Sequence, residues 1–434
     1  MQHRVRTSLW LLGLLVSLVL YACQPVAPSG SANAPSSAGT SAQTPGVTDT
    51  EVIIGTHTSL TGPAAVYAPL SKAAKAYFDY INETQGGVNG RKLVLLVEDD
   101  AYSPPKTVDL VRKLVEQDHI FALFQGLGTP THMQVIDYLR DQGVPDLFIN
   151  GSGREWIKDP AARRVSFGGI PGGVGEGAAL GLYIARTYAG KKLGFLYQND
   201  DSGKDFMDGM KRTVGAALPI AAEVSYEPTD KDLNAQVDRL KAAGVEVIGA
   251  LASVRFLASA MKHARLDLNW NVPFVMTAVS ANEFLFKTAG VDTVEGAVSI
   301  QYLRQAYETD NPGVAKHAEL MQKYGNIDKI NFITLVGQYQ AELMVETLKR
   351  AGKDLTREGL IKAAESIQNF QCSVCLFPMS MSATDHDPAQ SAVYVQAQGG
   401  KWVPIGDMGV SWENTLPKDI SAETVKSVPS PYKK

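Results

Sequence analysis

Twice along the chain, short apolar runs of strand length alternate with apolar patterns of helical spacing, and this alternation restricts the fold more than any other feature. Glu51 to Gly55 (EVIIG) precedes a helical segment of about Leu70 to Asn82, and LVLLV (93–97) precedes a helix carrying Val108, Val111, Leu114 and Val115 on one face. FALF (121–124) and LFI (147–149) follow. After the Gly-rich segment Gly168 to Gly177 the order returns: LGFLY (193–197), AAEVSY (221–226), VEVIGAL (245–251) and PFVM (273–276), with helical patterns between them. Strands separated by helices pair in parallel and are covered on both faces. Two such rounds in 434 residues exceed one ordinary core. The expectation is an α/β chain of two doubly wound parallel-sheet lobes. Beyond GAVSI (296–300) come helices near 313–323, 332–350 and 358–367, strands near 392–396 and 402–405, and an irregular tail, 411–434.

In an open parallel sheet, ligands bind beyond the carboxyl ends of the strands. The stretch Phe121 to Thr131, FALFQGLGTPT, reads as a strand, a tight turn and a helix start: Gly126 and Gly128 free the backbone, Pro130 suits a first helical turn, and Val135, Ile136 and Leu139 continue that helix at helical spacing. Thr129 is placed to cap that helix and to present a hydroxyl to an anion. His57, after the first strand, either faces the cleft or is a structural imidazole. Trp156 either stacks on a ligand or covers the end of the sheet.

Arg4 and Arg6 precede an uncharged run, Leu9 to Leu20, of signal-peptide length, and Leu20-Tyr21-Ala22-Cys23 resembles a bacterial lipobox. That implies removal of residues 1–22, a lipid on Cys23 and an extracytoplasmic protein held to a bacterial membrane. Residues 23–49 are rich in Ser, Ala, Gly, Pro and Thr and read as a flexible tether. The formal net charge is −4 and no basic run precedes the last two lysines, which argues against nucleic acid.

The segments IGTHTSLTGPAAVY, INETQGGVNGRKL, LVEDDAYSPPKTV, ALFQGLGTPTHM and LFINGSG, in that order, resemble the type I periplasmic-binding fold, and within it the leucine/isoleucine/valine-binding proteins of branched-chain amino-acid ABC importers. The resemblance implies two lobes joined by three crossover segments that close on a small solute, with a membrane permease and ATPase subunits as partners. A sensory receptor of the same fold is the alternative. The implied bounds are 50–168 and 298–380 for lobe one, and 169–297 and 381–410 for lobe two. The family's carboxylate-holding hydroxyl falls on Thr129, its next loop on Ser152 and Arg154, and its ligand-packing tyrosine on Tyr67. In the second lobe its site positions fall on Ser202, Ser253 and Thr277. No carboxylate stands at Thr277 or Ala278, where the amino-acid binders neutralise an ammonium group, so the solute is amino-acid-like or an organic or aromatic acid lacking the amine.

Other chemistries are weaker matches. Gly173-Val174-Gly175-Glu176-Gly177-Ala178 fits GxGxxA before a helical segment, Ala179 to Tyr188, but Glu176 would oppose a pyrophosphate. Cys372-Ser373-Val374-Cys375 has disulfide spacing, with a zinc site using His386 as the rival. Asp385-His386-Asp387 reads as a polar turn between lobes. No GxSxG or HExxH motif occurs, so the expectation is a binding protein without catalytic residues, cofactor or metal.

Overall fold

Two sheets organise residues 44–432, the part of the chain described by a computed structural model. The first contains β1 (Glu51–Thr58), β2 (Lys92–Asp99), β3 (Ala122–Phe124), β4 (Asp146–Ile149) and β5 (Ser166–Gly168), all parallel, in the order β2-β1-β3-β4-β5. The second begins with β6 (Leu193–Gln198), β7 (Ile220–Tyr226), β8 (Val247–Leu251), β9 (Phe274–Met276) and β10 (Val298–Gln301), in the order β7-β6-β8-β9-β10. The same strand order thus occurs twice. In each sheet the order reverses beside the lobe's first strand, so the loops after β1 and β3, and after β6 and β8, open on a crevice.

The lobes' cores follow from their apolar patterns. Leu123, Val111, Leu114 and Leu139 pack on one side of the first sheet, and Phe78, Phe124, Phe148 and Leu343 on the other. The helix Phe332–Ala351 is apolar nearly all round and buried along almost its whole length. Asn331 caps it by accepting from the Thr334 N–H, while the Thr334 hydroxyl accepts from the Asn331 N–H.

Four sequence expectations need correction. Val298–Gln301 pairs with β9 and with β11 (Ser391–Gln398), so it belongs to the second sheet rather than opening the return to lobe one at residue 298. The tail is part of the body. β12 (Lys401–Ser411) and β13 (Lys426–Pro429) extend the second sheet antiparallel, and Trp412, Ile420 and Val425 are buried beside it. Widely spaced apolar residues anchor this segment, and the Arg212 guanidinium donates to the Pro417 and Ile420 carbonyls. Residues 44–49, expected in the tether, lie against lobe one: Val47 is buried, Gly46 accepts from the Ile53 N–H, and the Thr44 hydroxyl donates to the Leu355 carbonyl. The fourth correction is the helix after the Gly-rich segment, which starts at Gly173 and runs to Thr187. Its small residues admit the neighbouring helix Asp201–Val214: a Cβ on Gly177 would meet the Phe206 carbonyl at 2.0 Å. Close helix packing therefore accounts for the GxGxxA spacing.

The lipobox, Cys23 and most of the tether lie outside the described residues. Among the described residues no helix is long and apolar enough to cross a membrane.

Candidate ligand-binding site between the lobes

A cavity of about 110 Å³ lies where the two crevices face each other. Lobe one contributes Tyr67 and Leu70 from the segment after β1, Leu127 to Thr129 after β3, and Asn150 to Ser152 after β4. From lobe two come Gln198 and Ser202 at the end of β6, and Leu251 to Ser253 at the end of β8. Phe332, Ile333 and Val336, at the start of the long helix, form a third wall. No residue of the lining carries a formal charge.

The turn after β3 is built by its glycines. Gly128 has φ +95° and is the residue before the short helix Thr129–His132, so Thr129 is that helix's first residue and not its cap. The sequence expectation of one continuous helix is corrected too: a break separates Thr129–His132 from Ile136–Asp141. Thr131 supplies the local bonds, donating its hydroxyl to the Leu127 and Gly128 carbonyls. The Thr129 hydroxyl donates to no described residue, although Thr129 is only 3% exposed. Nor do the N–H groups of Thr129, Gly151 and Ser152, or the Ser152 hydroxyl, donate to any described residue. Lobe one thus turns a cluster of uncommitted donors on the cavity. These donors open onto the cavity, where an acceptor-rich group can take up their hydrogen bonds.

The lobe-two wall differs in kind. The Ser202 hydroxyl donates to Asp200 at 2.5 Å, and Gln198 donates from Nε2 to Asp200 at 2.6 Å and to the Tyr102 hydroxyl at 3.3 Å. The Gln198 carbonyl oxygen accepts from Tyr226, whose hydroxyl in turn accepts from the Ser253 N–H. Burial pushes the Asp200 carboxyl up, opposed by Ser202, Gly203 and Gln198. Burial also pushes the Tyr67 phenol up to about 12 and raises that of Tyr102, so both rings present neutral hydroxyls.

Of the seven site residues implied by the resemblance, Tyr67, Thr129, Ser152, Ser202 and Ser253 line this cavity, and two do not. Arg154 reaches out of lobe one instead. Its N–H and Nε contact Asp205 at 2.6 and 2.5 Å, and Nη2 contacts Asp208 at 2.7 Å, both on the Asp201–Val214 helix of lobe two. A guanidinium this close to two carboxylates is engaged by them in preference to a solute. Thr277 is fully buried and donates its hydroxyl at 2.8 Å to Glu176, which also accepts from the Ala278 N–H. The acid absent from positions 277 and 278 in the sequence is therefore supplied from the Gly173–Thr187 helix, but sealed behind the wall. Burial pushes the Glu176 carboxyl up to about 7. Trp156 packs against His132 and lies outside the lining, and His57 is buried beneath it. Cys372 and Cys375 form a disulfide, while His386 stacks on Phe167 and contacts the Ser166 carbonyl.

The third wall was missed in the sequence. Its one signal was the Asn331 and Thr334 capping pattern followed by an almost wholly apolar first turn, which marks a helix start buried on every side. Tyr102, in the loop after β2, gave no signal at all.

Comparison with known proteins converges on one family. The sequence model of the periplasmic binding proteins matches residues 51–401. The leucine-, isoleucine-, valine-, threonine- and alanine-binding protein of Pseudomonas aeruginosa is 27% identical over 299 residues, which cover 68% of this chain and 77% of that protein. Among solved structures, a fatty acid ABC transporter substrate-binding protein from Thermomonospora curvata superposes with a TM-score of 0.74 at 26% identity, covering 87% of this chain and 96% of its own. A valine-bound branched-chain amino acid ABC transporter protein from Thermus thermophilus has the same fold, with a TM-score of 0.74 at 22% identity, covering 83% and 96%.

Proposed function

The chain belongs to the periplasmic binding protein family, and from that premise we propose that it is the extracytoplasmic receptor of an ABC importer for a small carboxylic acid with an uncharged, largely apolar body. The observation that carries this reading is the contrast between the walls: free donors on lobe one, and no charged side chain anywhere on the lining. A carboxylate placed against the N–H groups of Thr129, Gly151 and Ser152 and the hydroxyls of Thr129 and Ser152 is well solvated by the protein. An α-ammonium in the same cavity would be a buried cation with no facing carboxylate, a costly arrangement. The family relatives named above carry both amino-acid and fatty-acid binding in their names, so membership leaves the ligand open.

Size narrows it further. An engineered apolar cavity of about 150 Å³ holds benzene, so 110 Å³ suits one ring or a short branched chain rather than an extended fatty acid. Tyr67, Leu70, Phe332, Ile333 and Val336 supply the apolar surface for such a body. Binding closes the lobes about three crossovers, near residues 169–172, 302–311 and 381–390, and the closed form is what a permease and its ATPases would read. A lipid on Cys23 would hold the receptor at the membrane, beside that permease.

The test is a thermal-shift and calorimetric screen with benzoate, isovalerate, their amides, valine and leucine. An acid at a hundredfold its dissociation constant should stabilise the protein by about 2.7 kcal/mol. Tight binding of valine or leucine, with no response to the two acids, would reject the ligand class.

A further inference from the structure

Beneath the Gly126–Thr129 turn lies a line of four buried residues, Asp100, His57, His132 and Asp146, each with no exposed side chain. Asp100 Oδ2 is 2.9 Å from His57 Nδ1; His57 Nε2 is 3.0 Å from His132 Nδ1; His132 Nε2 is 2.8 Å from Asp146 Oδ2. Each contact is short enough to need one hydrogen between its heavy atoms. Two neutral imidazoles bring only two. Without a third, two lone pairs would oppose each other at one of these contacts, in a place no water can relieve.

We infer that these four residues hold three protons between them, one more than two neutral imidazoles carry, and that the third proton positions the loop presenting Thr129. The inference rests on the reading of that loop as the carboxylate-holding wall. The hydrogen-bond pattern locates the proton. Asp100 also accepts from the Ser59 and Thr107 hydroxyls and the Tyr102 N–H, which suits an ionised carboxylate. Asp146 is less well supplied: Ser166 approaches at 3.2 Å and Oδ1 has no partner. Burial lowers the pKa of His57 against the Asp100 hydrogen bond that raises it, and the titratable groups facing it are Asp100, His132 and Asp146. His57 is thus the neutral member, donating from Nδ1 and accepting at Nε2, and the extra proton sits at the His132 and Asp146 end.

The line supports the turn at three points. The Leu127 N–H donates to the His57 carbonyl at 3.1 Å, His132 belongs to the same short helix as Thr129, and Gly126 lies so close that a Cβ there would come within 2.6 Å of both imidazoles. Loss of the third proton at high pH therefore sets two lone pairs against each other directly under the turn. The turn is held below that pH and loosened above it.

Nitrogen-15 spectra of the histidine-labelled protein, with carboxyl carbon-13 spectra of its aspartates, read the proton count directly. The expected result near pH 6.5 is a His132 ring protonated on both nitrogens, or a protonated Asp146, beside a neutral His57 protonated on Nδ1. Two neutral rings between two ionised carboxylates would overturn the inference. Amide hydrogen exchange then tests the coupling. Protection of the Leu127 and Gly128 amides should fall tenfold or more across the pH range in which the third proton leaves, while amides of β8 hold. His132→Gln should abolish that step, and so should His57→Gln. Should the spectra show three protons and protection stay flat as the third is lost, the positioning role fails. Both measurements are made without a solute, so the proton count and its coupling to the turn are decided whether or not the proposed ligand class survives.

Discussion

At the scale of single residues, the site is a matter of which donors are left over. Thr129 and Ser152 keep their hydroxyls uncommitted, whereas the Ser202 hydroxyl donates a hydrogen bond to Asp200. Thr129→Val and Ser152→Ala should each weaken binding of a carboxylate about tenfold to a hundredfold, since a hydrogen bond to a charged group is worth roughly 1.5–3 kcal/mol, and titration calorimetry reads this directly. Ser202→Ala should have the smaller effect. Glu176 gives a pH prediction. Its folded-state pKa, about 7, lies above the ordinary glutamate value of 4.5, so between those two values the folded protein binds the more protons and stability falls as pH rises. Glu176→Gln should flatten that slope and raise the melting temperature at pH 8, by an amount equivalent to roughly 1–3 kcal/mol. A variant that melts lower than the parent at pH 8 would show that the ionised carboxylate is needed. Thr129 could be found in the sequence because a hydroxyl after a glycine turn is a local signal. Thr277 and Arg154 could not be placed, because the carboxylates that engage them come from other elements.

At the scale of elements, the turn after β3 depends on a backbone conformation that side chains rarely adopt. Gly128→Ala combines φ +95° with a Cβ 2.4 Å from the Tyr102 ring. It should destabilise the protein by about 2–4 kcal/mol, seen as a lower urea midpoint, and should impair binding at temperatures where the fold survives. The strands before such turns were legible because short apolar runs bounded by turn residues have few other uses. The four-residue helix that follows was not, since Val135, Ile136 and Leu139 keep helical spacing across the break between Thr129–His132 and Ile136–Asp141. The final strand was missed for a related reason. KSVP has little apolar pattern of its own, and its pairing with β12 is set by that partner rather than by its own residues.

For the whole molecule, Arg154 links lobe one to the Asp201–Val214 helix of lobe two. Burial pushes the Asp205 carboxyl up despite the Arg154 contacts that pull it down, so the pair is a partly desolvated link between the lobes. Arg154→Ala leaves Asp205 without its cation; the unliganded protein should open, with a larger radius of gyration in solution scattering, and affinity should fall about tenfold, or ~1.4 kcal/mol. Unchanged scattering together with unchanged affinity would mean that closure does not depend on this contact. The sequence by itself determined the class of fold, the doubling of the strand and helix order, and the hydroxyl-bearing loops at the strand ends, because periodicity and turn chemistry act between near neighbours in the chain. Only the tertiary structure decided which acids and cations meet, that the long helix closes the third wall, and that His57 on β1 and His132 on the short helix after β3 share a line of hydrogen bonds. Those outcomes depend on side chains brought together across the sheet and between lobes, and no local pattern records such distances.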